Sequence, residues 1–167
     1  MRKIIFILFV GFMIIACKVQ HKAPSGNRAY TPFVKFQSDT LQYAKVNFEN
    51  NKSFYIGRTV ETLVNDFDIP FTSVPDGNVV VKKDSITGRF FREIEFSEII
   101  FSPNDDSNWI MLIYFEQIVP EKIYTAAVKK ARDSGIDWQY NDWYPIKSEV
   151  FGKSIIKDIK VTEFPED

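Results

Sequence analysis

One cysteine and one histidine are all the chain contains, and those two scarcities exclude a good deal of chemistry. A nucleophilic serine or cysteine needs a base within hydrogen-bond reach. The sole histidine, His21, lies in a polar stretch without periodicity, so no Ser-His or Cys-His pair is expected. Zinc sites draw on clusters of His and Cys, which single copies cannot supply, and neither metal nor cofactor is expected. The seven glycines are scattered and form no phosphate-cradling loop. A lone cysteine closes no disulfide within the chain, so packing must hold the domain. No apolar run reaches the roughly 20 residues that span a hydrocarbon core. A net charge of −1 leaves no electrostatic footprint for nucleic acid.

What is present begins with MRKIIFILFVGFMIIAC. Arg2 and Lys3 give a cationic start, Ile4 to Ile15 an apolar run of the length found in secretory signals, and Ile14-Ile15-Ala16-Cys17 a small-residue exit. This layout resembles the signal of bacterial lipoproteins. The resemblance implies cleavage between Ala16 and Cys17 and diacylglyceryl attachment to the Cys17 thiol, with a further acyl chain such as palmitate on the new amino terminus. At about 0.8 kcal/mol per buried methylene, two or three long chains anchor a protein effectively for good. The alternatives are an ordinary secretory signal and an uncleaved helix, with Cys17 incidental in both.

The expected organisation is therefore a signal over 1–16, a lipidated Cys17 with a flexible tether over 17–32, and one globular domain over 33–167. Without Arg2 and Lys3 the chain has 19 basic and 22 acidic residues, and 13 of its 16 phenylalanines lie beyond the signal, enough to fill one core. Lys18, Lys22 and Arg28 are solvated tether charges or weak contacts to anionic lipid. In enteric lipoproteins an Asp after the lipidated Cys favours the inner membrane. Lys18 stands there instead, and the tether has no acidic run. By that resemblance the expected address is the cell envelope, at the outer membrane and facing the periplasm.

The domain reads as α+β: two helices, an antiparallel meander of about four to five strands, a third helix and a final strand. Asp39 caps a first helix reaching about Asn50, with Leu41, Ala44 and Phe48 as its stripe. Thr59 caps a second, whose Val60, Leu63, Val64 and Phe67 share a face and which Pro70 ends. From Pro70 the period becomes that of strands. Pro75-Asp76-Gly77-Asn78 and Ser85-Ile86-Thr87-Gly88 are expected to be tight turns. Ile94 and Phe96 alternate with Glu93, Glu95 and Ser97. Trp109 to Ile118 is apolar on both faces, as in a strand covered on both sides or lying in an interface. Pro120 opens the third helix, Tyr124, Ala127, Val128 and Ala131 form its stripe, and Gly135 terminates it. Ser154 to Glu163 is the last strand.

Four stretches are candidates for chemistry. Trp138, Tyr140, Trp143 and Tyr144, interleaved with Gln139, Asn141 and Asp142, are a ligand-stacking loop or aromatics folded onto the sheet edge. Glu93 and Glu95 are an acid–base pair or the outer face of a sheet. Asn104 to Asn108 offers oxygens for calcium but lacks the glycine and terminal glutamate of an EF-hand loop, and is better read as a turn. Ser154-Ile155-Ile156-Lys157 has S-x-x-K spacing on a strand rather than at a helix start, without companion motifs.

Gly57-Arg58-Thr59-Val60-Glu61-Thr62-Leu63, with Pro70 behind it, is similar to the helix entry of small outer-membrane assembly lipoproteins of the SmpA/OmlA type. That resemblance implies two helices before a three-stranded antiparallel sheet; the third helix and last strand depart from it. The functional expectation is a non-catalytic accessory or protein-interaction module, bound to the membrane through acylated Cys17 and with an envelope protein as possible partner. A glycan- or small-ligand-binding module using the aromatic loop, and an inhibitor or immunity lipoprotein, are the alternatives. The sequence leaves the oligomeric state open.

Overall fold

A computed structural model describes residues 25–103, 107–136, 143 and 145–165. The architecture is the expected α+β: helices against a four-stranded antiparallel meander in the order β1-β2-β3-β4.

Helix α1, Thr40–Ala44, starts where the capping argument places it, the Asp39 carboxylate accepting the Gln42 N–H at 2.8 Å. It runs on as a π turn over Lys45–Glu49, closed by the Asn50 N–H on the Lys45 carbonyl at 2.8 Å. The wider turn explains why the sequence stripe is blurred. Tyr43, Ala44, Asn47 and Phe48 are all buried, more than one narrow α-helical stripe accommodates.

A short helix α2, Lys52–Tyr55, which the periodicity did not predict, buries Tyr55. Helix α3, Val60–Val64, has the expected Thr59 cap and buries Val60, Leu63 and Val64. It stops earlier than expected. Phe67 lies past its end and stacks on Phe48, with ring centroids 4.7 Å apart.

The strands are β1 Thr72–Lys83, β2 Phe90–Ser102, β3 Trp109–Pro120 and β4 Ile156–Glu163. Pro75-Asp76-Gly77-Asn78 is not a turn, contrary to expectation. It lies inside β1, with the register shift of a bulge between Asp76 and Gly77. An edge strand tolerates the missing N–H of Pro75. At Gly77 a Cβ would lie 2.1 Å from the Glu95 carbonyl oxygen, so only glycine fits that approach. The expected turn at Ser85 to Gly88 does form. The Asp84 carboxylate accepts the N–H groups of Ile86 and Thr87 at 2.8 and 2.7 Å, which holds its pKa below the usual carboxylate range.

A second register shift, between Phe96 and Glu98 of β2, turns Ile99 and Phe101 into the core. On β3, Trp109, Met111, Ile113 and Phe115 are buried, whereas Ile110, Leu112 and Tyr114 are only half-buried. Of the two expectations for β3, cover on both faces is corrected accordingly, and a place in an interface is left open. Val74, Ile100, Ile110, Leu112 and Tyr114 share the second face and stand outside the core cluster formed by the described residues.

Helix α4, Glu121–Asp133, buries Ala127 and Ala131 and ends at Gly135 (φ 67°), as its pattern predicts. Helix α5, Ile146–Phe151, was not predicted. Its Phe151 is fully buried between Phe96 and Phe115 (centroids 5.6 and 5.8 Å). The outer edge of β4 is taken up by the amino-terminal helices. Glu49 accepts the Val161 N–H at 2.9 Å, the Arg58 carbonyl accepts Ile156 N–H at 2.8 Å, and Thr59 bridges to Ile155.

Candidate functional site

The residues expected to carry function fall into two groups. Ala16, Cys17, Trp138, Tyr140 and Tyr144 lie outside the described residues, as do Asn104 to Asp106. Trp143, the described member of the aromatic set, is 4% exposed and packs on Phe101 with ring centroids 5.6 Å apart. It offers no open ring face, so in this residue the core-packing reading prevails over stacking on a ligand.

Glu93 and Glu95 do share a face, but Lys82 reaches both, at 2.8 and 2.6 Å. Lys82 draws the Glu93 pKa down, and the two carboxylates raise that of Lys82. A general acid needs the opposite shift, so the pair reads as an ionic triad on a sheet surface. Ser154 gives its carbonyl to the Val60 N–H at 2.9 Å, and Lys157 is an exposed strand residue. The S-x-x-K spacing thus spans a strand entry rather than a helix start.

A polar seam that the sequence did not announce joins the amino-terminal segment to the domain. Asp66 is 1% exposed; its carboxylate accepts the Ser25 N–H at 3.0 Å, the Ser25 hydroxyl, and the Tyr55 hydroxyl at 2.9 Å. Asn27, 6% exposed, donates to Tyr55 Oη at 3.1 Å. Thr31 N–H and C=O both bind the buried Asn47 side chain, at 2.7 and 2.8 Å. The expected tether over 17–32 therefore needs correction over 25–32. These residues belong to the folded body, because their polar groups complete hydrogen bonds that the helices leave open.

The phenols of the seam are held protonated. Burial pushes the Tyr43 pKa up to about 12, against hydrogen bonds from the Tyr30 side chain and the Asp68 backbone. Burial likewise raises Tyr55 and Tyr30. Tyr30 and Tyr43 share a bond of 2.9 Å, and Asp68 N–H donates to Tyr43 Oη at 2.8 Å. Groups kept neutral and fully engaged act as struts, not nucleophiles.

Three other features stand outside the seam. Lys147 of α5 is 1% exposed and its ammonium donates to the Ser73 carbonyl and, at 3.2 Å, to the Ser73 hydroxyl, tying α5 to β1. On the second, half-buried sheet face Glu98 stands opposite Tyr114. Burial and the charge of Asp76 raise the Glu98 pKa, with the Tyr114 hydrogen bond opposing, and burial raises Tyr114. An open depression of about 440 Å³ lies between Phe33, Val34, Gln37, Ser38 and Asp68. Among the described residues no three His, Cys, Asp or Glu side chains are grouped to hold a metal, and no helix is long and apolar enough to cross a membrane.

Asp66 and Lys147 were missed for an identifiable reason. Asp66 sits in a run read by its apolar neighbours, and Lys147 in the stretch between the aromatic loop and the last strand, to which no element was assigned; nothing in spacing distinguishes a charged residue that turns inward. Against known proteins, the chain matches no family model, no curated protein and no solved structure.

Proposed function

We propose that the chain is a membrane-anchored envelope lipoprotein whose folded domain serves as a non-catalytic accessory or protein-interaction module. The observation that carries this reading is the position of the only cysteine. Cys17 directly follows Ile14-Ile15-Ala16, behind an apolar run that Arg2 and Lys3 precede. Lys18 after the Cys, and the lack of acidic residues up to Pro32, support the outer membrane and a periplasm-facing domain.

The domain's own chemistry is in keeping with that role. Its buried Asp66, Asn47 and Asn27 bind backbone groups and phenols of neighbouring segments, the work of structural polar groups. The paired carboxylates on β2 are both bound by one lysine. What the domain does offer is surface: a half-buried sheet face and an exposed strand pair.

Mass spectrometry of the native product tests the anchor. The expected product lacks residues 1–16, carries acyl chains on Cys17, and labels with palmitate. Cys17→Ser should leave the chain unlipidated and move it out of the membrane fraction. An unmodified Cys17 thiol in the native product would remove the basis of the proposal.

A further inference from the structure

Resting on the reading of the domain as an interaction module, we infer that the outer half of the β1–β2 hairpin is its partner-binding surface. The partner element it fits is an acidic amphipathic helix.

Beyond the bulge in β1, Asn78 to Lys83 pair with Phe90 to Glu95, and β3 meets β2 no farther out than Glu95. A two-stranded arm of six pairs, about 20 Å long at 3.3 Å per residue, therefore extends past the body of the sheet. Residues directly opposite in an antiparallel pair share a face. Val79 with Ile94, Val81 with Arg92, and Lys83 with Phe90 thus continue the face of Phe96. At Phe96 that face is covered by α4, the Tyr124 ring meeting Phe96 edge-on at 5.7 Å. Farther out the cover stops. Val79, Val81 and Phe90 are 62%, 64% and 72% exposed.

The reverse face of the arm is closed by Lys82 bridging Glu93 and Glu95. The two faces therefore differ in kind. One carries an ionic triad beside Asn78 and Val80; the other is an apolar row in which Lys83 and Arg92 are the only charged residues, with Lys83 over the Phe90 ring at 5.9 Å. An apolar face on a two-stranded ribbon about 10 Å wide matches the diameter of one helix, and 20 Å matches three to four turns. A helix laid there extends the layer that α4 begins.

Charge selects the occupant. Two cations without an acid call for acidic residues flanking the partner's apolar stripe. A second copy of this chain would place Lys83 and Arg92 against their own images.

The test uses the full chain in the cells that naturally make it. A photoreactive phenylalanine analogue is placed singly at Val81 and, as controls on other surfaces, at Val34, Leu112 and Ile123. The expected result is a discrete protein adduct from position 81, mapped by mass spectrometry to an acidic helical segment of another protein. With Lys83→Glu and Arg92→Glu its yield should fall about tenfold or more, since like charges then face each other. These side chains are on the arm surface, and circular dichroism verifies the fold of each variant. An adduct to lipid, to a basic segment or to a second copy, or one indifferent to charge reversal, overturns the inference. Adducts from the control positions without one at 81 overturn the arm but leave the interaction reading standing. No protein adduct from any position removes both.

Discussion

Asn27 and Tyr55 lie 28 residues apart and meet in a buried hydrogen bond, Nδ2 to Oη at 3.1 Å. Tyr55 in turn donates to Asp66 at 2.9 Å, and Asp66 holds the Ser25 N–H at 3.0 Å. Three segments distant in sequence are thereby fixed to one another through polar atoms. The residues ahead of α1 are part of what keeps the domain folded.

A domain begun at Phe33 is consequently expected to be less stable than one begun at Ser25, because Tyr55, Asp66 and Asn47 then lose partners. Each buried polar group left unsatisfied costs about 1–3 kcal/mol. Asp66→Ala should act in the same direction within the full domain. Thermal melts of the two lengths and of the variant decide the matter. Equal midpoints would mean that the seam contributes nothing.

Gly77→Ala should destabilise by roughly 1–3 kcal/mol or more, as forced overpacking does. Its Cβ would stand 2.1 Å from a backbone oxygen of β2, which cannot move aside as a side chain can. The effect should be concentrated in the arm, with faster amide exchange at Asn78 to Lys83 before the body unfolds.

Trp143 separates packing from ligand binding. As a buried neighbour of Phe101 its replacement by Ala should cost about 3–5 kcal/mol, the range for large aromatic truncations in a core. Denaturant titration reads this directly. A Trp143→Ala domain of unchanged stability would return the residue to the list of ligand contacts.

The pH dependence divides by the sign of the shifts. Glu98 has a raised pKa in the fold, from burial first and Asp76 second. Its contribution is fully present below the unfolded carboxyl pKa and is lost as pH rises through the raised value. Asp84, Glu93 and Asp158 are lowered, by backbone bonds at Thr87 and Ile86 for the first and by Lys82 and Lys52 for the others. They stabilise above their unfolded values, and that is lost as pH falls through the depressed ones. Glu98→Gln should therefore raise the melting temperature at neutral pH and leave it unchanged in acid. A variant with a lower midpoint at pH 7 would refute the assignment.

Much of this architecture can be read from spacing. Asp39 and Thr59 cap helices as their side-chain oxygens allow, and α4 follows from its stripe and from Gly135. The short helices α2 and α5 escaped: with four and six residues and no side-chain cap, they are too short to show a helical period. The turn chemistry of Pro75 to Asn78 misled for a physical reason. The same residues that permit a reversal also permit a bulge, and only the neighbouring strand decides which forms. Trp109 to Ile118 looked doubly covered because half-burial suffices to retain Ile110, Leu112 and Tyr114. The candidate surface was less legible still. Exposure of Val79 and Val81 follows from where β3 stops pairing, a long-range fact absent from local pattern.

The termination of β4 by Glu49, Arg58 and Thr59 bears on how far such a sheet can grow. Among the described residues the β4 margin is taken up, so a further strand could not add there as the fold stands. Propagation into a fibre would require first stripping the amino-terminal helices from that margin.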